Sequence, residues 1–232
     1  LMQDEALALQ IIEAVVAACA PHRVPVTLKM RTGWCAQVKN ALNIARAAES
    51  AGVQMVTVHG RTREQGYKGA AEYATIAAVK AALRIPVVAN GDIDSPHKAQ
   101  AVLRATGADA LMIGRAAQGR PWVFREIAHY LNTGALLAPP LVLEVRRALL
   151  AHLQDHYGLY GEFTGVRSAR KHIGWYVRDL PGGDAFRARL HDIDSAPLQW
   201  QLVADYFEEL ADGHERLPTA LADQPTGALE AR

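Results

Sequence analysis

Cysteine is scarce: Cys19 and Cys35 are the two in 232 residues, and they form neither a CxxC spacing nor a Cys/His ligand pattern. That argues against a disulfide scaffold and a cysteine-rich metal site, and it fits a reducing, cytoplasmic setting. An excess of one charge is lacking too. Lys and Arg number 25 against 24 Asp and Glu, a formal net charge of +1, so no global basicity announces nucleic acid and any such signal must be local. No apolar run is read as approaching the roughly 20 residues that cross a bilayer, and the N-terminal residues lack a secretory pattern. Neither a membrane nor a metal is expected. The chain opens on Leu1 and not on methionine, which allows a processed or partial chain.

What is present is ordinary for a globular protein. Half of the residues are apolar and 21% charged, in a length suited to one large domain or a domain with an appendage. The first half repeats. Helical patterns at Leu7 to Cys19, Ala41 to Ala51, Ala70 to Leu83 and Ser95 to Thr106 each precede an apolar run: "VPVTLKMR", "QMVTVHG", "IPVVANGDI" and "ADALMIGR". Ser95 reads as an N-cap with Pro96 at the first helical position. Near-continuous apolar strands suggest a parallel sheet covered on both faces. Lys29, His59, Asn90 and Arg115 recur at the strand ends, spaced by 30, 31 and 25 residues, close to a βαβ repeat. Such a series favours a (β/α)8 barrel, with a doubly wound sheet as the rival. Only four strands precede residue 120, half of what a barrel needs. Beyond Pro121, Leu141 to Gly158, Phe163 to Arg178 and Ala196 to Asp212 read as helices. The expected organisation is a partial barrel over 1–120, a helical domain over 121–212 and a disordered tail over 213–232.

In either fold, chemistry sits at the carboxyl ends of the strands. There "NGDI" and "GRAAQG" offer Gly91 and Gly114, where backbone N–H groups can approach a ligand. Arg115 supplies a forked donor suited to phosphate, and a helix begun by "AAQG" would aim its N-terminus at an anion. Asn90, Gly91 and Asp92 could equally make a tight Asx turn. Lys29, in "VTLKMR", lies close to the inner face of an apolar strand, where a charge needs a buried carboxylate or a ligand. His59 has a plain reading as a satisfied core histidine. All four at matching strand ends are more specific than any one.

Farther on, "GVRSARKHIGWYVR" (165–178) holds Arg167, Arg170, Lys171 and Arg178 and no acid. At 100° per residue these fall on one stripe, with Ala169, Ile173, Tyr176 and Val177 opposite. A charged stripe is usually a solvated face; without interleaved acids it also suits RNA phosphates.

"VPVTLKMRTGW", "VTVHGRTREQGYKGAAEY", "IPVVANGDI" and "ADALMIGRAAQGRPWVFREI" closely resemble the bacterial tRNA-dihydrouridine synthases, especially their B-type branch. "RSARKHIGWY" resembles the RNA-binding helical domain of the same family. The resemblance runs from about residue 1 to 210. It implies an FMN-dependent TIM barrel followed by a helical bundle, acting on tRNA, with NADPH as reductant, and a monomer at full length. Lys29 and His59 would then bind the flavin, the lysine near its N1/O2 edge. Asn90, Gly91, Asp92, Gly114 and Arg115 would hold the phosphate and ribityl chain. Arg61, Arg63 and Arg120 would line the mouth around a flipped-out uridine, and Arg167, Arg170, Lys171 and Arg178 would contact RNA. Tyr67 could stack or pack its loop.

One departure is serious. The family's catalytic cysteine lies in a "GCP" motif after strand four, and no "GCP" occurs here. The family's first four strands, with their flavin-contacting proline and glutamine, have no counterpart either. The four strands would therefore be strands five to eight, and the chain alone would be inactive. The rivals are another FMN barrel reductase acting on a free pyrimidine and a non-catalytic RNA-binding remnant.

Overall fold

The computed structural model describes residues 1–218. They form two compact units: Leu1–Ala117 with Trp122–Leu136, and Gln118–Pro121 with the chain from Leu137 onward. In the first unit, helices and strands alternate as the apolar periodicity suggests. α1 (Glu5–Cys19), capped by the Asp4 carboxylate on the Leu7 amide (2.9 Å), precedes β1 (Thr27–Arg31). There follow α2 (Ala41–Ser50), β2 (Met55–His59), α3 (Ala74–Ala82), β3 (Val87–Asn90), α4 (Pro96–Thr106) and β4 (Ala110–Met112). Ser95 does cap α4, accepting from the Lys98 amide at 3.3 Å, and Gly107 ends that helix at φ +65°. α5 (Val123–Thr133) closes the unit.

The four strands are parallel in the order β1-β2-β3-β4. A doubly wound sheet reverses its order at a switch point, and this one does not. Sequential order with a helix before every strand is the local arrangement of a (β/α)8 barrel. Met30, Val56, Val58, Val87 and Ala89 pack against the helices in one apolar core. The alternate residues face away from the helices. Coverage of both faces holds for β2, whose last four residues are buried, but not for β1 or β4, where Thr27, Lys29 and Ala110 are exposed. Each of those edge strands pairs on one side only.

Two expectations change here. α5 belongs to the first unit, because Val123 and Ile127 complete its core, so the helical domain starts later than residue 121. By length and composition, Glu5–His22 is also apolar enough to cross a membrane, with a mean hydropathy of 1.3. Its alanines and valines are small, and the run was missed because Glu5 and Glu13 interrupt it. In the structure Ile12 joins the core, while Leu7, Ile11 and Val15 stay exposed.

The second unit is helical: α6 (Val142–Val177), α7 (Gly183–Arg189) and α8 (Ala196–Gly213). α6 is not one rod. Gly161, at φ 71° and ψ 168°, breaks it, a backbone region essentially confined to glycine. In a straight helix the 20 residues between His152 and His172 would span about 30 Å; their ring centroids lie 5.1 Å apart. The two halves therefore fold back as a hairpin. Leu149, Leu153, Val166 and Ile173 of the hairpin and Phe207 of α8 are fully buried, and buried Gln199 satisfies both Tyr157 Oη (2.7 Å) and the Val166 carbonyl (3.1 Å). Past α8, Val142 N–H donates to Glu215 O and Leu217 N–H to Pro140 O, both at 3.0 Å. Ordered pairing thus reaches into the stretch expected to be disordered, of which 219–232 lies outside the described residues.

Candidate functional site

The parallel register decides which strand-end residues stand level. Arg31 lies opposite His59, and His59 opposite Asn90, whereas Lys29 pairs with Thr57, one step lower. Lys29 and Arg31 share the face turned from the helices with Thr57, His59 and Asn90. Arg31 is the member of this row that strand-end spacing missed, although its position two residues after Lys29 was signal enough. The Arg31 guanidinium is fixed by the carbonyls of Thr62 (2.8 Å) and Gly66 (2.9 Å). Asn90 donates to Met112 O at 2.7 Å. His59 is 7% exposed, and burial followed by the charges of Arg31, Lys29 and Arg61 pushes its pKa down to about 4, against the pull of Asp92. Its imidazole is neutral at pH 7. Partial desolvation of its otherwise exposed ammonium, then the Arg31 charge, lowers Lys29 as well. A face with two cations and a neutral histidine favours an anion or an electron-rich edge.

Beyond the row, Asp92 organises the loops. Its carboxylate takes a bidentate pair from Arg61 (2.9 and 2.6 Å), the Ala71 amide (2.8 Å) and Arg115 Nη2 (3.1 Å). Burial alone would raise the Asp92 pKa; the Arg61 and Ala71 hydrogen bonds and the charges of Arg61 and Arg115 outweigh it and hold the carboxyl below its ordinary range. Arg61, expected at the mouth, is instead 2% exposed, with Gly69 O (2.6 Å) and Lys68 O (3.3 Å) completing its shell. Its guanidinium anchors the 62–70 loop. Arg63 is exposed in the same unit, and Arg120 is half-buried in the other. Asp92, expected at a phosphate, has its carboxylate engaged by Arg61, the Ala71 amide and Arg115. The Arg115 guanidinium stands 4.7 Å over the exposed Tyr67 ring, with Arg31 5.9 Å from the same ring. Gly91, at φ +127°, has no room for a side chain: a Cβ would fall 2.8 Å from Ala71 Cβ and 3.1 Å from His59 Cδ2. Gly114 is open, with nothing within 4 Å of a Cβ. The expected helix after Gly114 is a three-residue 3-10 turn, Arg115–Ala117, closed by Ala117 N–H on Gly114 O. So short a turn carries little helix dipole.

In the second unit the basic stripe lies where periodicity put it. Ala169, Ile173, Tyr176 and Val177 are buried, while Arg167, Lys171 and Arg178 are exposed and Arg170 is half-buried. All four basic residues border one cleft, together with Trp175 and Arg187.

The family model described as dihydrouridine synthase (Dus) matches residues 1–211. The chain belongs to the dihydrouridine synthase family. It is 55% identical to the tRNA-dihydrouridine synthase B of Xanthomonas axonopodis pv. citri over 223 residues, 96% of this chain and 65% of the relative. The proteins of the same description from Pseudomonas putida and Shewanella oneidensis are each 56% identical, over 90% of this chain and 61% and 64% of their own length. The chain thus spans a little under two thirds of the length of these relatives. Among the described residues of the chain, no cluster of three or more His, Cys, Asp or Glu side chains is arranged to hold a metal. Of its cysteines, Cys19 ends α1, and Cys35 sits in the loop after β1, in a turn closed on Val38.

Proposed function

We propose that the strand ends of the first unit are the FMN-gripping part of a tRNA-dihydrouridine synthase, and that the second unit holds the tRNA. The reaction is reduction of a uridine C5=C6 bond with NADPH as the source of reducing equivalents, in the cytoplasm. The observation that carries this reading is the cationic strand-end face, Lys29 and Arg31 beside neutral His59 with Arg115 held over Tyr67, in a chain whose relatives are named for this activity.

The residues present suit the cofactor. Lys29 and Arg115 supply positive charge for an anionic ring edge and a phosphate, Gly91 keeps the β2 and β3 loops in close contact, and Gly114 leaves its backbone accessible. Asn90, its amide nitrogen already on Met112 O, contributes as an acceptor. Bound there, FMN would supply the hydride for the pyrimidine ring. His59, uncharged at pH 7, packs at the strand end without adding a charge to that face. Asp92 fixes Arg115, and Arg61 fixes Asp92. These 232 residues contain no "GCP" cysteine to protonate the pyrimidine, so the chain by itself is expected to be inactive as a reductase.

Dihydrouridine formation on tRNA, measured with the 232-residue chain and with a protein of the relatives' full length, tests the proposal. Turnover is expected from the longer protein alone, with Lys29→Ala and Arg115→Ala reducing its FMN retention. Turnover by the short chain, or unchanged FMN retention in both variants, would refute it. Free uracil as a comparison substrate separates the tRNA enzyme from a free-pyrimidine reductase, and salt-sensitive tRNA binding without flavin would mark an RNA-binding remnant.

A further inference from the structure

The basic stripe of α6 is the wall of a cavity. About 480 Å³ of space lies between the second half of α6 and α7, bordered by Arg167, Arg170, Lys171, Trp175, Arg178 and Arg187. That volume is within the range of small-ligand pockets, about 300–1,000 Å³. Charge within it is poorly balanced. Asp194 pairs with Arg170 (3.0 Å) and Arg167 (3.6 Å), and Asp184 with Arg187 (3.4 Å); both carboxylates are largely solvent-exposed. Arg170 Nε is buried and has no acceptor among the described residues.

The cavity also has a flat wall. Trp175 is half-buried, its indole braced edge-on by His172 (5.0 Å, 89°), with Lys171 Nζ 5.2 Å from the ring centroid. Gly174 sits beside it. The Arg187 side chain passes over it, at an ordinary contact distance of 3.4 Å from where a Cβ would stand. Duplex backbone is tracked by cations alone, whereas an aromatic platform ringed by cations is the arrangement that takes unpaired bases. We propose that this cavity receives a single unpaired nucleotide of the RNA, its base stacked on Trp175 and its phosphate among Arg170, Lys171 and Arg178. The proposal rests on the reading of the second unit as the tRNA-holding part.

Tryptophan emission and filter binding of the whole chain, titrated with a uridine pentanucleotide, a blunt RNA duplex and inorganic phosphate, test it. The pentanucleotide is expected to quench emission and to bind more tightly than the duplex. Trp175→Leu should weaken it about tenfold without changing the salt slope, since stacking is lost and phosphate contacts stay. Trp175→Phe should restore most of the affinity. Arg178→Ala should lower the slope of log K against log salt by about one. If Trp175→Leu unfolds the hairpin, the exposed Lys171→Glu replaces it, with a loss of at least about tenfold expected. Unchanged affinity in these variants, tighter duplex binding, or equal competition by phosphate alone overturns the nucleotide slot. Failure of the pentanucleotide to bind while tRNA still binds, sensitive to Arg178→Ala, removes the slot and leaves tRNA binding standing. Loss of both refutes the two together.

Discussion

Removing the Asp92 carboxylate strips a buried guanidinium of its counter-ion. Arg61 is 2% exposed, and Asp92 supplies two of its hydrogen bonds while also holding Ala71 N–H and Arg115. Breaking a buried ion pair from one side typically costs 3–5 kcal/mol. Asp92 is 28% exposed, so water can partly replace it, and the carbonyls of Lys68 and Gly69 still solvate Arg61. We therefore expect about 2–4 kcal/mol for Asp92→Ala, a figure that includes the poorer tolerance of alanine than of aspartate for φ +49°. Asp92→Asn retains an acceptor and tolerates that backbone, and should cost about 1–2 kcal/mol. In a cycle with Arg61→Met, the Asp92→Asn double variant should recover about 1–3 kcal/mol relative to additivity, since neither charge is then left alone. Urea unfolding at pH 7, with hydrogen exchange at the Ala71 amide, reads both effects. Because the folded-state pKa of Asp92 is depressed, its stabilisation is complete above the ordinary value of 3.8 and is lost as pH falls below it. The wild-type advantage over Asp92→Asn should shrink there. A cost of Asp92→Ala under about 1 kcal/mol, or strict additivity in the cycle, would refute the role given to this pair.

His59 and the hairpin histidines also lose stability on acidification, but in a higher pH window. With the His59 pKa at about 4 in the folded state against 6.5 unfolded, stability is complete above pH 6.5 and declines toward pH 4, by at most about 3 kcal/mol; His59→Asn should flatten that limb of a urea-midpoint profile. His156 and His172 are also lowered, first by burial and then by His152 and Lys171, so the second unit should loosen below pH 6.5 and His152→Gln should lessen the effect in thermal melts. Gly119→Ala would place a Cβ 2.3 Å from Trp175 O at φ +76° and should cost about 2–4 kcal/mol, seen as a lowered Tm. Gly161→Ala, with open space around it, should cost the backbone strain alone, about 1–3 kcal/mol in a region essentially confined to glycine.

The elements of the first unit were legible because helix and strand periods alternate cleanly and caps such as Ser95 and Gly107 mark their ends. The strand ends were legible as a group, since chemistry in parallel sheets gathers there. Which residues stand level was not: register depends on how neighbouring strands slide, and it raised Arg31 into the row and set Lys29 below it. Burial of Arg61 was also invisible, because an arginine in a loop usually reaches water, and only the fold brings Asp92, 31 residues away, against it. The stripe on α6 followed from helical spacing. The cleft did not, since Arg187 comes from α7 and helical spacing alone does not mark Trp175 as its wall.

Sequential strand order makes the sheet a nearest-neighbour array. Every pairing joins segments separated by one helix and two loops, so each βα step closes a chain loop of similar length and leans only on the steps beside it. Such an array can assemble by accretion from any well-packed step, and β2 with β3, the most deeply covered pair, is the natural seed. Damage at one margin is then felt by the adjoining strand and little beyond, so a disturbance at β1, which carries Lys29 and Arg31, reaches His59 on β2 well before Asn90 on β3.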